Sequence, residues 1–200
     1  MPASTSTHFF LNWAKERIDE MDAALTSLEG KIGEVNADLR IKANQTLADL
    51  RKKRDEFRDA VKKQAEANEA TWTSAKTQLE ADWARFETDV QKYVDSFGKQ
   101  VKQQQATFKL QADAQLKAWR EAADKFQAAA AGLAAERRSE IDATVTRMKA
   151  DAAVADEKLK NLQEAGTESW SVLMAALTET RAVFDRANQS AREAFKKAAP

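Results

Sequence analysis

Apolar residues recur along the middle of this chain with the spacing of one helix face. Between Phe57 and Trp119 they follow a 4-3-4 pattern of steps over eighteen positions, of which only Gln64, Asn68 and Gln105 are polar. An apolar side chain every three or four residues marks one face of an α-helix. The pattern therefore predicts long α-helices whose apolar face packs against another helix.

The period of this apolar face changes along the chain. Heptad spacing runs from Ile18 to Leu39 and again from Ile141 to Leu162, whereas the middle section repeats every eleven residues at Phe86, Phe97, Phe108 and Trp119. Heptads favour a left-handed supercoil, and an 11-residue repeat favours a weakly right-handed or straight one. The predicted class is all-α, with very long amphipathic helices forming an elongated antiparallel coiled coil or helical bundle with mixed heptad and 11-residue repeats.

The breaks in the pattern predict the organisation of the chain. Residues 1–7 are rich in Ser and Thr and are expected to be flexible, and residues 8–200 are expected to form a single elongated helical domain. The phase slips near residues 44–46, and an Ala-rich stretch with one glycine covers residues 128–135. These breaks predict three helices, roughly 8–43, 47–128 and 137–197, of which the central one would be about 120 Å long.

Three glycines leave alternatives open. The apolar pattern passes Gly98 without losing phase, which favours a glycine tolerated on a helix surface, but a tight hairpin at residues 95–98 would also preserve the phase. Gly132 and Gly166 each stand where a helix could end, because glycine readily adopts the left-handed conformation that follows a helix C-terminus.

Charge and composition exclude several classes of function. The chain has 32 Lys and Arg against 32 Asp and Glu, and this balance argues against nucleic-acid binding, which a basic excess usually drives. It has no Cys, which excludes disulfides and thiolate metal sites. The start of the chain lacks a signal-peptide pattern, and no stretch is apolar enough to span a membrane. We therefore expect a cytoplasmic, bacterial protein.

The sequence offers no catalytic, cofactor-binding or metal site. It contains no phosphate-binding loop or nucleophile motif, and His8, the only histidine, cannot form a metal site alone. The basic run at residues 51–54 could contact phosphate or anionic lipid, but acidic residues surround it, which favours a solvated helix face. We therefore expect a protein that is not an enzyme.

Aromatic residues on the apolar face are the candidate functional residues. We call them the aromatic stripe, and they are predicted to form a core or an assembly surface: Phe57, Trp72, Trp83, Phe86, Phe97, Phe108, Trp119 and Trp170. Aromatic residues at helical spacing are more often core than a ligand-binding or membrane-binding surface. If Phe97 is core, its replacement by Ala should cost about 3–5 kcal/mol of stability.

Two families share features of this pattern. The 11-residue amphipathic repeat between Phe57 and Trp119 resembles that of the exchangeable apolipoproteins. The Ala-rich helical composition without Cys is similar to that of bacterial phasins, which coat polyester storage granules. The resemblance implies amphipathic helices that lie on a lipid or storage-granule surface, and it assigns no role to any single residue.

Two functions follow from the stripe. The first is a non-enzymatic, elongated coiled-coil scaffold that self-associates, as a homo-oligomer or with a helical protein partner, by burying the stripe between helices. The alternative is a phasin-like or apolipoprotein-like coat, in which the stripe lies on a lipid or storage-granule surface. The excess of Phe and Trp over the Leu and Ile of ordinary coiled coils motivates this alternative.

Overall fold

The described residues form six α-helices. The computed structural model describes the backbone of residues 3–65, 69–98 and 101–198, and the side chains of 9–65, 71–98 and 102–198. The helices are α1 (Ala3–Gly30), α2 (Ala37–Ala65), α3 (Glu69–Phe97), α4 (Val101–Ala131), α5 (Ala135–Ala165) and α6 (Trp170–Ala198), with a 3₁₀ turn at Ile32–Glu34. The described residues include no strand, and the all-α prediction is confirmed.

Helices α1 and α4 form the most extensive helix pair and run in opposite directions. Lys15 of α1 lies 3.0 Å from Glu121 of α4, and Ser27 of α1 lies 2.8 Å from Thr107. Contacts therefore move towards the start of α4 as they move towards the end of α1. The buried small residues Ala14, Ala24 and Ala123 belong to these two helices, and small side chains let helix backbones approach closely.

The six helices divide into two sets of three. We call α1–α3 the N-terminal half-bundle and α4–α6 the C-terminal half-bundle, because within each set every helix packs against the other two. The half-bundles meet where α1 packs against α4 and α6, whereas α3 and α4 make almost no contact although they are consecutive. Helix α1 is thus the central helix and touches α2, α3, α4 and α6.

The first predicted helix, 8–43, has the wrong limits. Helix α1 begins at Ala3 and ends at Gly30, and α2 begins at Ala37 rather than near residue 47. Gly30 and Gly33 each cost about 1 kcal/mol relative to Ala inside a helix, so two glycines within one turn favour a break here. The side chain of Asn36 then accepts a hydrogen bond from the backbone N–H of Asp38 (3.1 Å), which fixes the start of α2.

The long central helix predicted over 47–128 is also wrong. Helix α2 ends at Ala65, α3 extends over Glu69–Phe97, and α4 begins at Val101, so each helix has 29 to 31 residues and is about 45 Å long. Residues 66–68 lie outside the described part of the chain. The hairpin alternative at residues 95–98 is correct about the helix end, since α3 ends at Phe97. A Cβ on Gly98 would lie 3.1 Å from the Cα of Val94, so a side chain there would require a shift of a few tenths of an ångström.

The predicted helix 137–197 is two helices. Helix α5 ends at Ala165 and is followed by Gly166, whose φ of 64° is the left-handed conformation expected at a helix C-terminus. The break near Gly132 lies where the sequence predicted it, since α4 ends at Ala131 and α5 begins at Ala135. No described helix is long and apolar enough to span a membrane.

The aromatic stripe faces the interior of the bundle. Seven of its eight residues are buried, with exposed fractions of 6 % or less: Phe57, Trp72, Trp83, Phe86, Phe108, Trp119 and Trp170. Phe97 is only partly buried at the end of α3, where it contacts the edge of Tyr93. Two further positions of the pattern, Asn68 and the side chain of Val101, lie outside the described residues. Helices of one chain therefore bury the stripe against each other.

Two phenylalanines eleven residues apart provide a test of this packing. Phe108 is fully buried and Phe97 is not, so we expect Phe108→Ala to lower the free energy of unfolding by about 3–5 kcal/mol and Phe97→Ala by roughly half as much. Urea denaturation of both variants measures the difference. Equal losses would contradict the unequal burial of the two rings.

Candidate functional site: a charged cluster between the half-bundles

The most unusual feature of the core is a group of buried charges where the half-bundles meet. We call it the central cluster, and its members are Glu16, Arg17, Glu20, Glu87, Arg181 and Asp185. Glu16 and Glu20 are fully buried, and Arg17 and Arg181 are nearly so. Charged side chains are almost never buried unless they are paired. The arrangement of the pairs therefore decides what this site can do.

Helix α1 carries this cluster because it is buried on two faces. Its predicted apolar face includes Met21, Leu25 and Leu28, and packs against neighbouring helices. A second face carries Trp13, Glu16 and Glu20, which also follow a spacing of three and four residues and are buried. Only a narrow side of α1, which carries Lys15, Asp19 and Asp22, is partly exposed, so the charged residues on its second buried face must find partners inside.

Arg181 joins three helices. Its Nη2 lies 2.7 Å from Oε2 of Glu20 and its Nε 3.1 Å from Oε1, a two-pronged contact between α6 and α1. Its Nη1 lies 2.9 Å from a carboxylate oxygen of Glu87 on α3. The guanidinium also lies over the ring of Trp83, 4.6 Å from its centroid. Planar contacts of this kind are the strongest that an arginine makes with a carboxylate.

Arg17 forms the second pair across the same interface. Its Nη1 and Nη2 donate to the two oxygens of Asp185 on α6, at 2.7 and 2.6 Å. Nη1 also donates to Glu16 at 2.8 Å, and the guanidinium lies 4.7 Å from the centroid of the Trp13 ring. Two arginines, one from each half-bundle, thus hold carboxylates of the opposite half.

Helix α4 adds neutral hydrogen bonds to the cluster. The amide of Gln115 donates to Glu20 (2.9 Å) and to the backbone carbonyl of Leu177 (3.0 Å). The hydroxyl of Thr180 donates to the side-chain oxygen of Gln115. These three hydrogen bonds fix the orientation of the Gln115 amide and hold α4 to both α1 and α6.

Four carboxyl groups share two guanidinium groups, and burial together with the neighbouring charges shifts the pKa values of Glu16, Glu20 and Glu87. Burial, reinforced by the charge of Glu20, raises the pKa of Glu16 well above its ordinary value. Burial alone would also raise the pKa of Glu20, but the charge of Arg181 and hydrogen bonds from Glu16, Arg181 and Gln115 outweigh it and lower that pKa. Burial raises the pKa of Glu87, with Arg181 opposing it.

The geometry around Glu16 agrees with a protonated carboxyl group. Its Oε1 is buried and accepts no hydrogen bond, and Nε of Arg181 is 3.8 Å away. A protonated oxygen would instead donate to Glu20, which lies one helical turn further along α1. The raised pKa of Glu16 and the lowered pKa of Glu20 favour a proton on Glu16 and an ionised Glu20.

The stripe residues take different places around the cluster. Among the described residues, Trp83 is the only member of the aromatic stripe whose ring contacts an arginine of the central cluster. Trp72 stacks on Phe10, and Trp119 donates its indole N–H to the carbonyl of Met148 at 3.1 Å. The sequence analysis did not single out Glu16, Glu20 or Arg181. The signal for the two glutamates was the second spacing of three and four residues on α1, which begins at Trp13.

The arrangement binds α1, α3, α4 and α6 together. Its two central carboxyl groups are fully buried and paired with residues of the same chain. Among the described residues, no group of three or more His, Cys, Asp or Glu is placed to hold a metal ion. No protein-family model, curated protein or solved structure matches the chain.

A neutral replacement of Glu16 tests its protonation. A carboxyl group with a raised pKa in the folded state contributes most stability below its unfolded value of 4.5 and loses it as pH rises towards the folded pKa. We therefore expect Glu16→Gln, which keeps the shape and cannot ionise, to be more stable than wild type at pH 8 by about 1–2 kcal/mol. Below pH 4.5 this advantage should vanish.

Urea denaturation at several pH values measures this effect, with the exposed Glu157→Gln on α5 as the control. Glu87 keeps a raised pKa in both proteins, so some pH dependence remains in the variant. A Glu16→Gln protein that loses stability at every pH would show that Glu16 is ionised in the fold.

Proposed function

We propose that this chain is a non-enzymatic helical protein whose bundle opens between its half-bundles and coats an apolar surface, either lipid or a storage granule. The observation that supports this most directly is the difference between the apolar contacts that bury the aromatic stripe and the charged contacts at the junction of the half-bundles. The aromatic stripe is stored inside one chain, whereas the junction at which the half-bundles meet contains the buried charges. The stripe is buried within one chain, and this favours the coat over self-association as the use of these residues.

The central cluster makes opening at this junction less costly than opening an apolar interface of the same size. Separating buried apolar faces exposes them to water at about 25 cal/mol per Å². Charges that leave a protein interior regain their hydration, which offsets much of the lost pairing energy, and this is why a buried ion pair stabilises a fold less than apolar residues of the same volume. The chain also connects the two half-bundles only once, through the short stretch after Phe97.

An opened bundle would present what an interfacial protein needs. Its helices are amphipathic, and their inward faces carry Trp and Phe, which suit the boundary between an apolar phase and water. With 32 basic and 32 acidic residues, the chain has no net charge to attract it to anionic lipid. Binding would therefore depend on apolar area and persist at salt concentrations that screen charges.

A disulfide lock tests whether opening is required. The chain has no cysteine, and the side-chain oxygens of Ser27 on α1 and Thr107 on α4 lie 2.8 Å apart across the junction. We expect the Ser27→Cys/Thr107→Cys protein to float with phospholipid vesicles or hydrophobic particles when reduced, and to remain unbound when the disulfide holds the half-bundles together.

A second lock within one half-bundle is the matched control. Ala123 on α4 and Ala152 on α5 are buried and line the same surface groove, so Ala123→Cys/Ala152→Cys joins two helices of the C-terminal half-bundle. This protein should float whether oxidised or reduced. Equal flotation of the oxidised Ser27→Cys/Thr107→Cys protein would contradict opening at the junction, and no flotation of the wild type would contradict the coating function itself.

A further inference from the structure

We propose that the closed bundle has a binding site for a small apolar carboxylate, in the groove between α1, α3 and α6. The groove lies at the end of the bundle where α1 begins and has a volume of about 610 Å³. That is within the range of about 300–1,000 Å³ typical of small-molecule sites. This inference does not depend on the coating function, because the site exists only while the half-bundles are together.

Aromatic rings form one side of the groove. Phe10 stacks between Trp13 and Trp72, with ring centroids 5.9 and 5.6 Å apart and interplanar angles of 27° and 21°. All three residues line the groove. Such a surface holds an acyl chain or a flat ring by burying its apolar area.

Two buried polar groups in the groove lack partners. The indole N–H of Trp13 donates no hydrogen bond, although Trp13 is only 2 % exposed. The amide nitrogen of Asn188 donates to the carbonyl of Phe9 at 3.0 Å, and its oxygen accepts nothing. An unpaired buried donor is unfavourable. The Trp13 N–H has almost no accessible surface, so a ligand accepts from it only if a neighbouring side chain moves aside.

The charges around the groove favour an anion. Lys76 on α3 and Arg186 and Arg192 on α6 line it, and its one carboxylate, Asp185, already has both oxygens held by Arg17. Lys76 is paired with Glu80 at 3.1 Å on the exposed side of α3, and its ammonium lies 5.4 Å from the Trp13 ring centroid. Arg186 is exposed and has no carboxylate partner among the described residues. A carboxylate at the mouth would meet these cations while its apolar body covers the rings.

Calorimetry with two probes tests this site and separates the two shapes of ligand. Decanoate represents an acyl chain and 2-naphthoate a flat ring, and each is compared with its neutral alcohol on the full chain. We expect at least one carboxylate to bind at a single site, at least about tenfold more tightly than its alcohol. Binding of neither carboxylate, or equal binding of acid and alcohol, would overturn the proposal.

Two variants place the binding in this groove. Arg186→Gln should weaken carboxylate binding about tenfold, while Arg147→Gln, an equally exposed arginine on α5, should leave it unchanged. Trp13→Phe keeps a ring and removes the N–H, so it should weaken the carboxylate more than the alcohol, which a general loss of packing would not do. Equal effects of the two arginine variants would place binding elsewhere.

The carboxylate site and the coating function can be disproved independently of each other. The oxidised Ser27→Cys/Thr107→Cys protein is held closed, so it should bind the carboxylate as the wild type does even though it does not float. If the wild type does not float, the carboxylate test is unaffected. If neither carboxylate binds, flotation remains a test of the coating function alone.

Discussion

The contact of Arg181 with Glu20 fixes how four of the six described helices meet. It joins α6 to α1, reaches α3 through Glu87 and, through Gln115, holds α4 in the same place. Apolar faces alone would tolerate small shifts of one helix along another, because Leu, Ala and Phe make no directional contacts. A two-pronged arginine–carboxylate pair has one geometry, and breaking it inside a core leaves an uncompensated charge. We infer that the cluster stabilises the fold less than apolar residues of the same volume would, but defines the register of the half-bundles.

This design follows from the position of α1. A central helix that contacts four others has little surface left for solvent, yet α1 carries the buried residues Glu16, Arg17 and Glu20 within two turns. Glu20 is paired with Arg181 and Glu16 with Arg17, and burial raises the pKa of Glu16, which favours its protonated form. The aromatic groove also lies at the start of α1, so this helix contributes both to the charge pairs and to the proposed carboxylate site.

Much of the secondary structure could be predicted from the sequence, and the packing could not. The spacing of apolar residues identified the all-α class and seven buried aromatic residues, because a face that repeats every three to four residues must be covered. It predicted three helices where the described residues form six, missed the chain reversal after Gly30 and kept the hairpin at Gly98 only as an alternative, since a short turn that conserves the phase leaves the apolar pattern unchanged. It also missed Glu16 and Glu20, because charges interleaved along a helix look the same whether they face water or an opposing arginine.

Small-angle X-ray scattering over a concentration series tests the central claim most directly, namely that one chain buries its own stripe by closing two half-bundles on each other. The account predicts a particle of 22.3 kDa at every concentration. Its radius of gyration should be about 17–20 Å, as for a compact chain of this length. A radius of about 30 Å or more, as an extended helical rod would give, or a mass that doubles with concentration, would contradict it.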